Sequence, residues 1–177
     1  MIVRRERPAD FAAVHAVHLA AFGVDPVTGA HRPPAEVPEA PLVDELREDA
    51  GFLPHLSLVA VDGGHVVGHV IATRGWLEPS GTPVLGLGPL GVRPDRQRSG
   101  VGTVLVHALL AVAEAADERL VALLGSPDYY RRFDFVAAAD LGITSPDPAW
   151  GGYFQARHLT GPPVQGAFRY AEPFSRL

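Results

Sequence analysis

The 177-residue sequence predicts a mixed α/β layer domain running from residue 1 to residue 177. Two periodicities carry this reading. "VGTVLVHALLAVAEAA", 101–116, repeats apolar residues at helical spacing, whereas "HLSLVAV" and "LVALLG" are short apolar runs of strand character. The two kinds alternate along the chain without internal repeat or linker, the pattern expected of helices layered on a sheet.

The elements follow in order. "IVRRE", 2–6, alternates as a short strand. Pro8 and Asp10 open a helix with Phe11, Val14, His18 and Phe22 along one face. Residues 23–41 are rich in proline and glycine and too long for a simple connection, so a functional or mobile loop is expected. "LVDELRED", 42–49, reads as a short helix. Asp62-Gly63-Gly64 is a turn signal between "HLSLVAV" and "HVVGHVIATR", which makes a hairpin. A strand over Val84 to Val92 comes next, then the helix from Val101, then a buried strand at 120–125. "PDYYRRF" suggests one or two helical turns, and "FVAA" and "YFQARHL" the last strands.

Composition narrows the chemistry. There is no cysteine, which removes disulfides, thiolate metal sites and cysteine nucleophiles. There is no lysine either, so no lysine base or Schiff base. A net charge of -5 argues against general nucleic-acid binding. No apolar run approaches the roughly 20 residues of a membrane helix, and "MIVRRERPAD" has no signal-peptide character; a cytoplasmic protein is expected.

Two glycine patterns compete for a phosphate. Gly86-Leu87-Gly88-Pro89-Leu90-Gly91 matches G-x-G-x-x-G, the dinucleotide pattern, but a helix must follow such a turn at once. Here Val92, Arg93 and Pro94 intervene, and a bulge or bend in a strand is the better reading. Gln97-Arg98-Ser99-Gly100-Val101-Gly102 lies directly between strand and helix. Its free first-turn N–H groups and the helix dipole favour an anion, with Arg93, Arg96 and Arg98 nearby. A solvated basic loop with a glycine helix start is the alternative on the pattern alone.

"LGVRPDRQRSGVG" resembles the signature of the GNAT superfamily of acyl-CoA N-acyltransferases, and "GSPDYYRRFDF" resembles its second half. "LVDELREDAGFLPHLSLVAVDGGHVVGHVIAT" and "YFQARHLTGPPVQGAFRYAEPF" extend the likeness to one bacterial branch of predicted N-acetyltransferases. The resemblance implies a mixed central sheet flanked by helices, in which two central strands splay apart to admit the pantetheine arm of acetyl-CoA. Leu90, Gly91 and Val92 would pair with that arm through their backbone, and Gln97, Arg98, Ser99, Gly100, Val101, Gly102 and Thr103 would form the pyrophosphate loop. Tyr130, five residues before Phe135, would protonate the leaving thiolate, with Tyr129 its close rival; the Val92 N–H would face the oxyanion. A homodimer is common in the family. Asp134 stands where the family has glycine, a position Asp tolerates at unusual φ.

The implied reaction is transfer of an acetyl group to a primary amine of a small molecule, by direct attack and without a metal. A degenerate CoA-binding module, or an acetyltransferase for protein N-termini or lysines, are the alternatives. The base is open: Glu78 is one candidate, a water relay another. Ser126 is not in a G-x-S-x-G elbow. His15 and His18 lie on the first helix near the expected acceptor pocket, with partial burial the plainer expectation. His65 and His69 stand about 13 Å apart on a strand, too far for one metal. Asp44, Glu45, Glu48 and Asp49 form an acidic run, and Arg131 and Arg132 face either phosphates or water.

Overall fold

The computed structural model describes residues 1–25 and 28–176. Among these, nine strands form one sheet. β1 (Ile2–Arg5), β2 (Ser57–Asp62), β3 (His65–Glu78) and β4 (Thr82–Val92) run antiparallel in sequence. β5 (Leu120–Leu124) pairs parallel to β4, and β8 (Phe154–His158) and β6 (Val136–Ala137) extend that side. β7 (Ile143–Thr144) pairs with β9 (Gly166–Arg169), which adds to the far end of β3.

The hairpin turns where expected: Gly63 and Gly64 both have positive φ, as a two-residue turn matching strand twist demands. α1 (Phe11–Phe22) and α2 (Glu39–Glu48) pack on each other, and α1 lies on β3 and β4. α2 begins three residues before the expected start, because the preceding Pro38 already has helical φ/ψ. Residues 23–41 hold a Val24–His31 bridge and a 3-10 turn at Pro34–Glu36; Pro26 and Val27, part of the expected loop, lie outside the described residues.

α3 (Val101–Ala115) crosses β3, β2 and β4. It buries Val101, Leu105, Val106, Leu109, Leu110 and Ala113. Each large apolar side chain so removed from water contributes roughly 1.5–3 kcal/mol. Gly68 on β3 lets α3 approach: a Cβ there would lie 2.9 Å from Val101 and 3.0 Å from Leu105. After β5 comes α4 (Pro127–Tyr130), then a 3-10 turn that ends at Asp134 with φ 61°. Asp thus holds the left-handed position, which a short polar side chain tolerates. β7 and β9 were absent from the sequence expectation; each is short, and their partners lie far away in the chain.

Candidate functional site

β4 and β5 pair at only two registers, Leu85–Val121 and Gly86–Ala122. β4 then shifts register against β3 between Val70 and Ala72, opposite Gly88 and Pro89. From there the two strands separate. The ladder shows which peptide groups are left free. Arg93 N donates to the Val67 carbonyl at 3.0 Å. By antiparallel alternation, Gly68–Val92 is then a non-hydrogen-bonded pair and His69–Gly91 a bonded one. Leu90 and Val92 therefore turn their N–H and C=O groups away from β3, with the Val92 carbonyl already accepting from the Gln97 side chain. Gly91, expected to share that role, directs its own toward His69.

At the end of β4 the chain makes a 3-10 turn at Pro94–Arg96 and enters α3. Arg98 has φ 59° and Gly100 φ 91°, which folds Gln97–Gly100 into a concave turn. Val104 N is bonded to the Gly100 carbonyl, and no side chain caps the helix. The N–H groups of Val101, Gly102 and Thr103 thus open onto this turn, where the dipole favours an anion. The Gln97 side-chain amide donates to the Val92 carbonyl (3.1 Å) and the Ser99 hydroxyl to the Arg96 carbonyl (2.6 Å), so both hold the loop's shape. The expected arginines divide. Arg93 pairs with Asp95 and Arg96 with Asp62, while Arg98 lines the cleft.

The cleft has two parts. A cavity of about 330 Å³ is lined by Val92, Gln97, Arg98, Gly102 and Tyr129. A larger one, about 940 Å³, lies between the separated strands and reaches Tyr130, Trp150, Tyr170 and Phe174. Phe22 and Leu90 line both.

The neighbouring tyrosines are sorted by this division. Tyr129 stands over the loop: a Cβ on Gly102 would lie 2.6 Å from its hydroxyl. Tyr130 faces the large cavity beside Leu124 and Gly125, its ring against Phe133 and Phe135. Burial, then the neighbouring Tyr129, pushes the Tyr130 hydroxyl well above its ordinary value of 10. Tyr170 is raised by burial and by Tyr130. Both stay protonated at neutral pH.

The first glycine pattern holds no phosphate-facing helix. Its glycines clear space for rings: a Cβ on Gly86 would lie 2.7 Å from Tyr170, and one on Gly91 2.7 Å from His18 Nδ1. His18 is fully buried rather than partly so, and it lines neither cavity. Its Nε2 meets His69 Nδ1 at 2.8 Å, His69 Nε2 meets the Ser57 hydroxyl at 2.9 Å, and Ser57 donates to Glu6 at 2.7 Å. Glu6 is also held by Arg47. A carboxylate only accepts, so Ser57 must accept from His69 Nε2–H, and His69 Nδ1 from His18 Nε2–H. That leaves His18 Nδ1 a bare lone pair, and it is buried without a partner among the described residues. Burial holds both imidazoles below their ordinary pKa of 6.5, His18 at about 3. Sequence alone did not signal this chain, because His18 and His69 are 51 residues apart.

The remaining candidates lie elsewhere. Glu78 ends β3 and pairs with Arg169 at 3.2 Å; it lines neither cavity and is not placed as a base. His15 pairs with Asp44 at 2.7 Å. Glu45 pairs with Arg176, and Asp49 accepts from Gly51 N. Arg132 lies over the Tyr129 ring, and Arg131 faces Asp128. Among the described residues no cluster of three metal-ligating side chains occurs, and no helix is long and apolar enough to cross a membrane.

The chain is similar to known proteins. The chain is 34% identical over 143 residues to the uncharacterized N-acetyltransferase YjhQ of Escherichia coli K12, covering 76% of this chain and 79% of YjhQ. The crystal structure of YhbS from E. coli, in complex with CoA, superposes with a TM-score of 0.85 at 28% identity, over 99% of this chain and 92% of that one. A Brucella melitensis GNAT-family acetyltransferase in complex with acetyl-CoA gives 0.77 at 33% identity, over 98% and 97%. The profile of the acetyltransferase (GNAT) family matches residues 14–135. With the separated β4 and β5, the uncapped start of α3 and this match over most of its length, the chain belongs to the GNAT family of acetyltransferases.

Proposed function

We propose that this protein transfers the acetyl group of acetyl-CoA to a primary amine of a small molecule. The observation that carries the reading is the pair of cavities that share the walls Phe22 and Leu90. Together they run from the open N–H groups at the start of α3, past the free edge of Leu90 and Val92, to the cavity holding Tyr130. Each part matches one part of the donor. The loop Gln97, Arg98, Ser99, Gly100, Val101, Gly102 and Thr103 holds the pyrophosphate through backbone N–H groups and Arg98. Leu90 and Val92 pair with the amides of the pantetheine arm, much as an added strand would. Gly91 contributes space for His18 rather than hydrogen bonds.

In the chemical step the amine nitrogen attacks the thioester carbon. The C–N bond forms, the C–S bond breaks, and the amine loses a proton. The Val92 N–H faces the carbonyl oxygen as it gains charge. Tyr130 gives its proton to the departing sulfur. Because its pKa is raised, Tyr130 keeps that proton at neutral pH and transfers it only as charge builds on sulfur. The amine must arrive neutral. An alkylamine of pKa about 10.4 is about one part in 2,500 neutral at pH 7, so water in the cavity carries the proton away. The aromatic walls of the large cavity suit a small molecule better than a peptide chain.

Calorimetric titration with acetyl-CoA, and with NAD for contrast, tests the donor. Acetyl-CoA binding without NAD binding is expected, followed by CoA release with a small amine. Binding of NAD alone would overturn the donor assignment. CoA binding with no release from any amine would favour a binding module instead.

A further inference from the structure

Beyond its register shift, β4 is held as a strand from one side only. Its ladder runs to β3, and its pairing with β5 has already ended at Gly86. The position of this open edge therefore depends on what packs against the two faces of the strand. Side chains alternate along a strand. Leu90 and Val92 pack against the hydrophobic cluster that includes Val101 and Leu105 of α3. Gly91 points the other way. The three atoms nearest to a Cβ built there all belong to His18, with Nδ1 at 2.7 Å and Cε1 at 2.9 Å. The imidazole thus lies directly on the backbone of β4, a close approach that only glycine at 91 allows.

The ring is fixed in its rotation. Its Nε2–H is given to His69 Nδ1 (2.8 Å), and the Ser57 hydroxyl, Glu6 and Arg47 hold His69 in turn. Phe22, one helical turn further along α1, stacks on it at 5.9 Å and 9° and lines both cavities. His69 is also the register partner of Gly91. One residue of β3 therefore grips Gly91 twice, through its own peptide group and through His18. An apolar ring would fill the same volume, but a hydrogen-bonded chain in a dry interior selects one orientation.

We infer that His18, oriented by His69, is a positioning residue for the acyl donor: it sets where the open edge of Leu90 and Val92 lies, and so where the pantetheine arm runs. It does this from behind the strand, without touching the donor. The inference rests on the placement of the arm proposed above and adds the buried pair that fixes it. The same ring backs Phe22, a wall shared by both cavities. An edge displaced by about 1 Å is enough to misalign the thioester with Tyr130 and the Val92 N–H.

The test reads amide hydrogen exchange by mass spectrometry in residues 87–93 and 99–106, free and with saturating acetyl-CoA, for the wild type, His18→Gln and Gly91→Ala. His18→Gln keeps a donor for His69 but gives up the ring; Gly91→Ala drives a methyl against the ring. In both variants residues 87–93 should exchange about fivefold or more faster than in the wild type, while 99–106 keep their rate and their protection by acetyl-CoA. Calorimetry should show acetyl-CoA affinity about tenfold weaker. In Gly91→Ala/His18→Ala the methyl takes part of the ring's place, so affinity should be about threefold or more tighter than in Gly91→Ala alone, a non-additivity that unrelated sites do not show. Unchanged exchange in 87–93, equal acceleration of both segments, or unchanged acetyl-CoA affinity overturns the inference. So does a folded double variant that binds no better than Gly91→Ala. If the double variant does not fold, the two single variants decide. If the wild type does not bind acetyl-CoA, the donor reading fails separately, and exchange of 87–93 in the free proteins still decides whether His18 sets the strand.

Discussion

Mild acid should weaken this fold through His18 and His69. Both side chains are fully buried, and burial, aided by the nearby Arg47, holds both below the ordinary 6.5. In the unfolded chain each titrates near 6.5. The folded pKa values are the lower ones, so the unfolded state takes up protons first as pH falls. Their stabilisation is complete above about pH 6.5 and is lost as pH falls toward the folded values, about 3 for His18. Each pH unit below 6.5 is worth about 1.4 kcal/mol for a histidine that stays neutral in the fold, hence about 2 kcal/mol for His18 between pH 7 and pH 5. His69 adds to this loss in the same direction, and the His18 contribution alone is an appreciable part of the roughly 5–15 kcal/mol typical of a domain. Urea unfolding at pH 7 and pH 5 measures it, with the non-titrating His18→Gln/His69→Gln variant as reference. The wild type should lose at least about 2 kcal/mol more than the variant, and His18→Gln alone should remove about 2 kcal/mol of that excess. Equal losses in wild type and double variant would refute the reasoning.

Other expectations concern the cleft. Tyr130→Phe keeps the ring contacts with Phe133 and Phe135; kcat should fall about 100-fold, with acetyl-CoA affinity nearly unchanged by calorimetry, and wild-type turnover would remove Tyr130 as the acid. Gly102→Glu places a Cβ 2.6 Å from the Tyr129 hydroxyl and a negative charge at the phosphate loop. Its acetyl-CoA affinity should fall at least about 100-fold, roughly 2.7 kcal/mol, and an unchanged dissociation constant would sink the loop assignment. Gly86→Ala drives a methyl to 2.7 Å from the Tyr170 ring; the urea midpoint should drop by about 1–3 kcal/mol in stability, and no drop would mean the ring moves freely.

The local elements were legible because each has a local cause. Gly63 and Gly64 set the hairpin turn, and the apolar spacing from Val101 to Ala113 set α3. Gln97 to Gly102 could be read as a backbone anion site, because two glycines and a helix start are adjacent in the chain. The G-x-G-x-x-G pattern could be rejected for the opposite local reason: no helix follows it. The groups brought together from distant parts of the chain could not be read. β9 pairs with β3 about ninety residues away. His18 and His69 become one hydrogen-bonded unit only when α1 packs over β3 and β4. The sequence placed His18 near the acceptor pocket, and packing buried it against Gly91 instead. Sequence by itself determined the strands other than β7 and β9, the main helices and the phosphate-loop candidate, because short-range sterics and periodicity act within a few residues. Tertiary structure decided which strands separate and which titratable groups lose water, because burial and unpaired peptide groups are properties of surfaces that meet only in the folded chain.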